Sequence, residues 1–568
     1  MKHIFICVQC LKRLISIDIK YFYVEEEDVM NIAKTVKDPI YGYISLDDKI
    51  KNEIIYTPNF QRLRDIIQTS YSYVFPSAVH NRFVHSLGVY FLGCIVSNNI
   101  INTFEYNNIN IKEIERSIEI FKYACLLHDI GHAPFSHIGE AYYLNDGDDS
   151  ELYNIIIELT KDEELEILKN IYHGMAAPHE LMSAIVGLKI YSFLFESDEE
   201  RGLFARCITG YLYDNTDSKK SFYNCLIKLL NSSLIDVDKI DYLLRDSYVM
   251  GYDITKIDYT RLLNSIKIKL MSSNYELIYT EGAKEVIENV IYAHDTEKKW
   301  IQNNPEILYE SFLIKHAVSV INKRFEENKL FSYDFLTCEG GVIGDWRISL
   351  LNDGDIKFLM KNIDSDYLID EFFLRVERRV PLWKSETEYM AIFGRAFDGR
   401  IFSVINKRFE ELNQYLNKLN CDEINEIAIM SCRKEILRIK EELLKDETII
   451  DKSSLEYLLE YRNRSLVWLE CLRTFAEEQR IAFDFKIITT KMFNSGFLKD
   501  EIRKIKMEIP SIESICNFVN ITNVLTANNS VSENFFYLFY RKTDAIHIDV
   551  NKLASMLGRL AIEELLNE

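Results

Sequence analysis

From about residue 30 to residue 330, apolar side chains recur with a period close to 3.6. That spacing admits little besides packed amphipathic helices. Stretches such as IKEIERSIEIFKYACLLHD and SFYNCLIKLLNSSLIDVDKIDYLLRDSYVMG are examples, and short polar breaks such as LNDGDDSE near residue 146 separate them. Helix breakers are scarce, with 8 prolines and 20 glycines in 568 residues, which disfavours a sandwich or barrel built on tight turns. The chain is too long for one hydrophobic core. The pattern predicts a mainly α fold with a helical core at 30–330 and a helical extension at 331–480. It also predicts a small α+β C-terminal domain at 481–568.

The glycines of CEGGVIGDWRISLLNDG, residues 338–354, mark a loop near the first boundary. The extension is rich in Glu, Lys and Leu at i,i+4 spacing, the mark of solvated helix faces. After 481, short β-branched and aromatic runs such as FDFKIITTKMF and NFFYLFYRK predict strands, followed by a helix near 549–567. The opening MKHIFICVQCLKRLISI resembles a signal peptide only superficially. Lys12 and Arg13 interrupt its apolar stretch and no small-residue cleavage site follows. Residues 1–29 are expected to be an extension, with Met30 as the natural start.

The formal net charge of −21 opposes a broad duplex-binding face but leaves room for a small anionic substrate in a local basic or metal-bearing pocket. The 11 cysteines are scattered and odd in number, which fits a reducing, cytoplasmic setting; Cys7 and Cys10 form a lone CxxC with no second pair at zinc-ribbon spacing. No apolar run approaches the roughly 20 residues of a membrane span.

Seven of the 11 histidines, at positions 80, 85, 128, 132, 137, 173 and 179, fall within 100 consecutive residues. Imidazoles gathered in this way serve metal binding or proton transfer near neutral pH. His128 and Asp129 stand at the end of a helix, and Gly131 and Pro134 then break it, so that His132 and His137 can fold back toward the same space. An imidazole–carboxylate pair suits a borderline divalent metal. His85 in HNRFVHSLG and Asp238 in IDVDKIDYLLRD are the candidates for the remaining ligands. A second HD pair, His294–Asp295, lacks such companions and reads as an ordinary polar helix step.

The segment TPNFQRLRDIIQTSYSYVFPSAVHNRFVHSLGVYFLG closely resembles the HD-superfamily deoxynucleoside triphosphate triphosphohydrolases, the group that includes bacterial dGTPases and vertebrate sterile-alpha-motif HD-domain enzymes. KDPIYGYISL, LLHDIGHAPFSH and IDVDKIDYLLRDSYVMG match in the same order, and together these stretches cover about residues 34–262. The resemblance makes residues 30–330 an HD phosphohydrolase domain, with His85, His128, Asp129 and Asp238 as ligands of a divalent metal (Mn, Fe, Ni, Zn or Mg). It implies phosphate contacts at Arg82 and Lys239, and sugar contacts at Gln68, Tyr242 and Asp246. It assigns His132, His137, Glu140 and His179 to catalysis, with Glu140 standing where the family has aspartate. The implied reaction releases a deoxynucleoside and inorganic triphosphate, with His137 protonating the departing 5′-oxygen.

The resemblance further implies a homo-oligomer, dimer or tetramer, and a nucleotide effector near Lys34, Gln61, Arg64 and Arg261. Tyr56 replaces the aspartate that reads guanine in the vertebrate activator site. Thr69 replaces a leucine beside the ribose 2′ position, Leu313-Ile314 replaces a Tyr-Gln pair near the base, and Lys298, Lys299 and Gln302 offer further phosphate or base contacts. Two other readings of the ligand set are an HD nuclease or phosphodiesterase and a non-catalytic, nucleotide-sensing oligomer.

Overall fold

A computed structural model shows a mainly helical protein with a few small sheets. It describes residues 32–104, 110–144, 148–171, 176–214, 217–232, 235–252, 256–364, 366–375, 378–418, 423–445, 452–493, 495–498, 500–510, 514–522, 534–542 and 548–567. The extension expected at 1–29, Met30 and His173 lie outside the described residues. Two compact units are present, Met1–Gln61 and Arg62–Glu568.

In the first unit, β1 (Ile32–Asp38) pairs antiparallel with β2 (Gly42–Asp47). The Asp38 carboxylate closes the turn by accepting the Ile40 and Tyr41 N–H groups at 2.8 and 3.1 Å. Ile44 and Leu46 are buried while Tyr43 and Ser45 are not, the two-residue alternation of a one-sided hairpin.

The second unit opens on α1 (Arg82–Thr103) and α2 (Ile111–Leu127), followed by α3 (Ser150–Thr160), α4 (Pro178–Ile190), α5 (Asp198–Thr209), α6 (Ser218–Leu230) and α7 (Val237–Met250). Asn81, Asn110, Ser197, Asp217 and Asp236 each cap one of these helices by accepting a backbone N–H of its first turn. The central helix α1 packs against both α2 and α7. By length and composition it could cross a membrane, which the sequence reading did not anticipate. Here it is a core helix, burying Leu87, Val89, Leu92, Val96 and Ile100.

Two more helices follow, α8 (Lys284–Glu297) and α9 (Pro305–Arg324). The strands β3 (Ile266–Met271) and β4 (Asn274–Thr280) form a hairpin ahead of them, and β5 (Gly341–Ile343) and β6 (Trp346–Ile348) form another within the glycine-bearing segment. Long helices α10 (Gly399–Lys418), α11 (Glu426–Lys445) and α12 (Lys452–Gln479) make up the expected extension, and α13 (Val550–Asn567) follows the last strand.

The boundary expected near 481 is crossed by both larger sheets. Strand β9 (Lys506–Ile509) pairs parallel with β4 and antiparallel with β10 (Ser514–Asn517), giving the order β10–β9–β4–β3. Strand β11 (Asn534–Tyr540) lies between β7 (Val380–Pro381) and β8 (Lys486–Lys491). An unpaired edge on the β3–β4 hairpin would expose a row of backbone donors and acceptors, and strands from far along the chain satisfy it. Phe536 of β11 stacks on Phe409 of α10 with centroids 3.7 Å apart, and its carbonyl accepts the Trp383 indole N–H at 2.9 Å.

Candidate active site

His85 lies in the first turn of α1, His128 and Asp129 directly follow α2, and Asp238 lies in the first turn of α7. Packing of these three helices brings the four side chains together. The Nε2 atoms of His85 and His128 are 3.2 Å apart, and Asp238 Oδ1 is 2.9 Å from the first and 3.7 Å from the second. The Asp129 oxygens lie 3.6 and 3.5 Å from the same two nitrogens.

The opposite nitrogen of each ring is fixed: His85 Nδ1 meets Asp241 Oδ2 at 2.8 Å, and His128 Nδ1 meets the Cys125 carbonyl at 3.0 Å. With Nδ1–H donating outward on both rings, both Nε2 lone pairs point inward at each other and at two carboxylates. Two nitrogens and two carboxylates converging on one point form the donor set of a borderline divalent cation, so the residues fit a metal. The electrostatics agree. Burial acts to lower the His85 imidazole, yet Asp238, Asp241 and Asp129 push it up to about 10, so this point draws positive charge. Burial likewise opposes the charge on Asp129, but Arg82, His128 and His132 hold its carboxyl well below the usual range.

Asp241, which sequence reasoning missed, is the support for His85. It lies one helical turn beyond Asp238 and is clamped by Arg245 through bonds of 2.9 Å to each oxygen. The Asp238–Asp241–Arg245 spacing of three and four residues was the available signal. Gly88 makes the approach of α1 and α7 feasible: a Cβ there would lie 1.8 Å from Asp241 Oδ1.

Beyond Asp129 the chain runs through a tight loop in which Phe135 and Ser136 both adopt positive φ, 59° and 54°. Such conformations are strained for residues with side chains and persist only when surroundings hold them. Here Asp353 accepts the N–H groups of Phe135 (2.7 Å) and Ile67 (3.0 Å). Arg62 donates to the carbonyls of Leu351, Ile130 and His132, tying the loop to the glycine-bearing segment. Asp353 lies outside every motif-bearing segment of the sequence.

The loop delivers His132, His137 and Glu140 beside His179 at the start of α4. His132 is fully buried, with Nε2 3.2 Å from Asp129 Oδ1, and stacks on His179 with centroids 4.0 Å apart. Glu140 holds both other rings, accepting from His179 Nδ1 and, at 3.3 Å, from His137 Nδ1. The His137 side chain is 64% exposed. Burial opposes the positive charge on His179, but Glu140 more than offsets it and the imidazole is raised above its ordinary value.

Of the residues expected to contact substrate, Arg82 lies on α1 and Lys239, Tyr242 and Asp246 lie on α7. Arg82 is buried and donates to Asp129 Oδ2 (2.8 Å), Ser136 Oγ (2.9 Å) and the Gln68 carbonyl (3.4 Å). Lys239 donates to Asp236 and the Ser232 carbonyl. Asp246 is buried, with Oδ1 2.7 Å from His80 Nε2. Tyr242 is half-buried on the same helix. Thr69 and Ile314 line a cavity of about 290 Å³ together with Ser70, Ile138 and Glu310, whereas Leu313 is buried in the core.

The expected effector residues are divided between the units. Lys34 bonds Tyr56 Oη at 2.9 Å and Gln61 bonds the Ile55 carbonyl, both within the first unit. In the second, Arg64 lies over the Phe83 ring and exposed Arg261 pairs with Glu285. Lys299 stacks on Trp300 and Phe493. Asp295 of the second HD pair accepts from Ser495 and Gly496 and is structural.

The HD domain family profile matches residues 82–209. The deoxynucleoside triphosphate triphosphohydrolase SAMHD1 of Bos taurus is 26% identical over 464 residues, covering 77% of this chain and 69% of that protein. An uncharacterized protein of Mycoplasma genitalium is 29% identical over 326 residues, covering 53% of this chain and 68% of its own. The Dictyostelium discoideum homolog of SAMHD1 is 28% identical over 278 residues, 47% of each chain, so the present chain spans about half the length of that relative. The profile match takes in α1, α2 and the loop after Asp129 and ends before α7, and the chain is similar to deoxynucleoside triphosphate triphosphohydrolases.

Proposed function

We propose that the protein hydrolyses deoxynucleoside triphosphates to deoxynucleoside and inorganic triphosphate. The observation that carries this reading is the convergence of buried His85, His128 and Asp129 with half-buried Asp238, beside a buried guanidinium and a carboxylate-held histidine cluster. A divalent metal held by those four residues supplies Lewis-acid polarisation of a phosphoryl oxygen. Arg82 and Lys239 neutralise phosphate charge, and the strained loop positions the histidines beside the α-phosphorus. Water adds to that phosphorus and the bond to the 5′-oxygen breaks. His137, oriented by Glu140, gives a proton to the departing oxygen, while His132 and His179 order the cluster around it. Gln68, Tyr242 and Asp246 hold the sugar. Oligomerisation and a nucleotide effector belong to the same reading, as does a cytoplasmic role in lowering dNTP pools.

The test is triphosphate release from each of the four dNTPs and four NTPs, singly and in mixtures, with manganese or magnesium. Release from dNTPs that Asp129→Ala abolishes is expected. Hydrolysis of single-stranded nucleic acid instead, or metal and dNTP binding with no turnover, would overturn it in favour of a nuclease or a sensor.

A further inference from the structure

A cavity of about 290 Å³ adjoins the loop that carries His132 and His137. Phe135 and Ile138, on either side of Ser136 and His137, form part of its wall, together with Thr69, Glu310, Ile314 and Phe372. The segments that wall the cavity also anchor Arg82. Ser136 Oγ accepts from Arg82 Nε at 2.9 Å and donates to the Ile67 carbonyl at 2.5 Å, and the Gln68 carbonyl accepts from Arg82 Nη2 at 3.4 Å. Arg82 in turn donates to Asp129. The cavity and the surroundings of the His–Asp cluster are thus built on the same two stretches, 67–69 and 135–138.

Small-molecule pockets span roughly 300–1,000 Å³, so a cavity at the lower limit takes one ring system of a substrate rather than a whole nucleoside triphosphate. Its aliphatic and aromatic walls suit the faces of a flat ring. Glu310 is the exception among them. It is 3% exposed, and its Oε2 is ion-paired with Arg378 Nη2 at 2.6 Å. Among the described residues, Oε1 has no donor nearer than Arg375 Nη2, which at 3.9 Å is outside hydrogen-bond reach. A buried ion pair offsets its desolvation only when the remaining lone pairs are also satisfied. Buried Glu371 meets that condition, with Tyr309 Oη on one oxygen and Arg379 Nη1 on the other. Glu310, which lines the cavity, leaves Oε1 open to a ligand that carries donors.

We propose that this cavity receives the base of the substrate and that Glu310 is its specificity-determining residue, accepting N–H donors from the edge of that base. An ion-paired carboxylate accepts hydrogen bonds and gives none. Of the four DNA bases, guanine alone presents two adjacent donors on one edge, its ring N1–H and its 2-amino group. Adenine and cytosine set a bare ring nitrogen beside their amine, and thymine has a single N–H between two carbonyls. A site built in this way rejects a base without the donors, because a buried acceptor is then left unpaired. The substrate of matching chemistry is dGTP. This inference rests on the dNTP-hydrolase reading above.

The experiment compares kcat/KM for dGTP and dATP in the wild type, Glu310→Gln and Glu310→Asp. The wild type is expected to prefer dGTP by tenfold or more. Glu310→Gln, whose amide sets donors of its own against those of guanine, loses at least tenfold more on dGTP than on dATP, so the ratio collapses. A wild type without the preference overturns the proposal. So does a Glu310→Gln variant whose ratio is unchanged, because an equal loss on both substrates marks a residue that only balances Arg378. If Glu310→Gln does not fold, Glu310→Asp, which keeps the charge opposite Arg378 on a side chain one methylene shorter, must lower the same ratio; no change overturns the proposal. Calorimetric binding of deoxyguanosine against deoxyadenosine to the full chain reads the contact without turnover. Absence of hydrolysis by the wild type thus counts against the proposed reaction alone, whereas equal binding of the two nucleosides counts against Glu310.

Discussion

A proton and a metal compete for one nitrogen at the centre of this site. His85 Nε2 faces His128, Asp129 and Asp238, and the surrounding carboxylates raise the metal-free imidazole from 6.5 to about 10. A raised value means the charged ring is favoured below it and the stabilisation is lost as pH rises through about 10. A metal requires the neutral ring, so its binding must expel that proton. Calorimetry in buffers of different ionisation enthalpy should show roughly one proton released per metal near pH 8, with affinity falling as pH is lowered. Metal uptake with no proton release would contradict the arrangement. At this scale the sequence pointed to His85, His128, Asp129 and Asp238 because they stand in motif-bearing segments, and the structure brings the four together. Asp241 was not legible, since a carboxylate that supports a neighbouring imidazole has the same local sequence signature as a surface acid. The packing of α1 on α7, permitted by Gly88, tells it apart.

The loop from Asp129 to Glu140 brings further histidines beside the His–Asp cluster. Its two consecutive positive-φ residues are held by Asp353 and Arg62 rather than by the loop itself. Asp353→Ala leaves the Phe135 and Ile67 N–H groups buried without an acceptor, at a cost of about 2 kcal/mol. The expected outcome is a lower urea midpoint together with a fall in kcat larger than the change in KM, since the histidines lose position before the binding groups do. A variant that loses stability but keeps full kcat would show that the loop holds its shape unaided. The helix-breaking Gly131 and Pro134 foretold that the chain folds back here. Asp353 was invisible because it lies more than 200 residues away, in a segment that composition marked only as a loop.

Over the whole molecule, the helical periodicity of residues 30–330 was legible, and so were the strand-like runs after 481. Their partners were not. A run of β-branched and aromatic residues states that it pairs but not with which edge, and β9 joins β4 while β11 joins β7 and β8. Segments expected to form separate bodies therefore share sheets. A buried charge network ties the same segments together. Arg379 is fully buried and binds Glu371 (2.7 Å), Asp484 (2.6 Å) and Glu423, and Arg541 bridges Glu371 and Asp484. Arg379→Met strands carboxylates in the interior and should destabilise the protein by about 3–5 kcal/mol in urea unfolding, with loss of activity in parallel. A change below 1 kcal/mol would mean that Arg541 and water suffice there.

The central claim, cleavage of the bond between the 5′-oxygen and the α-phosphorus by attack at that phosphorus, is tested most directly by identifying the products of dNTP turnover in ¹⁸O-labelled water. The account predicts unlabelled deoxynucleoside and inorganic triphosphate carrying one ¹⁸O, with neither formed by Asp129→Ala. Deoxynucleoside monophosphate with pyrophosphate, or label in the nucleoside, would contradict it.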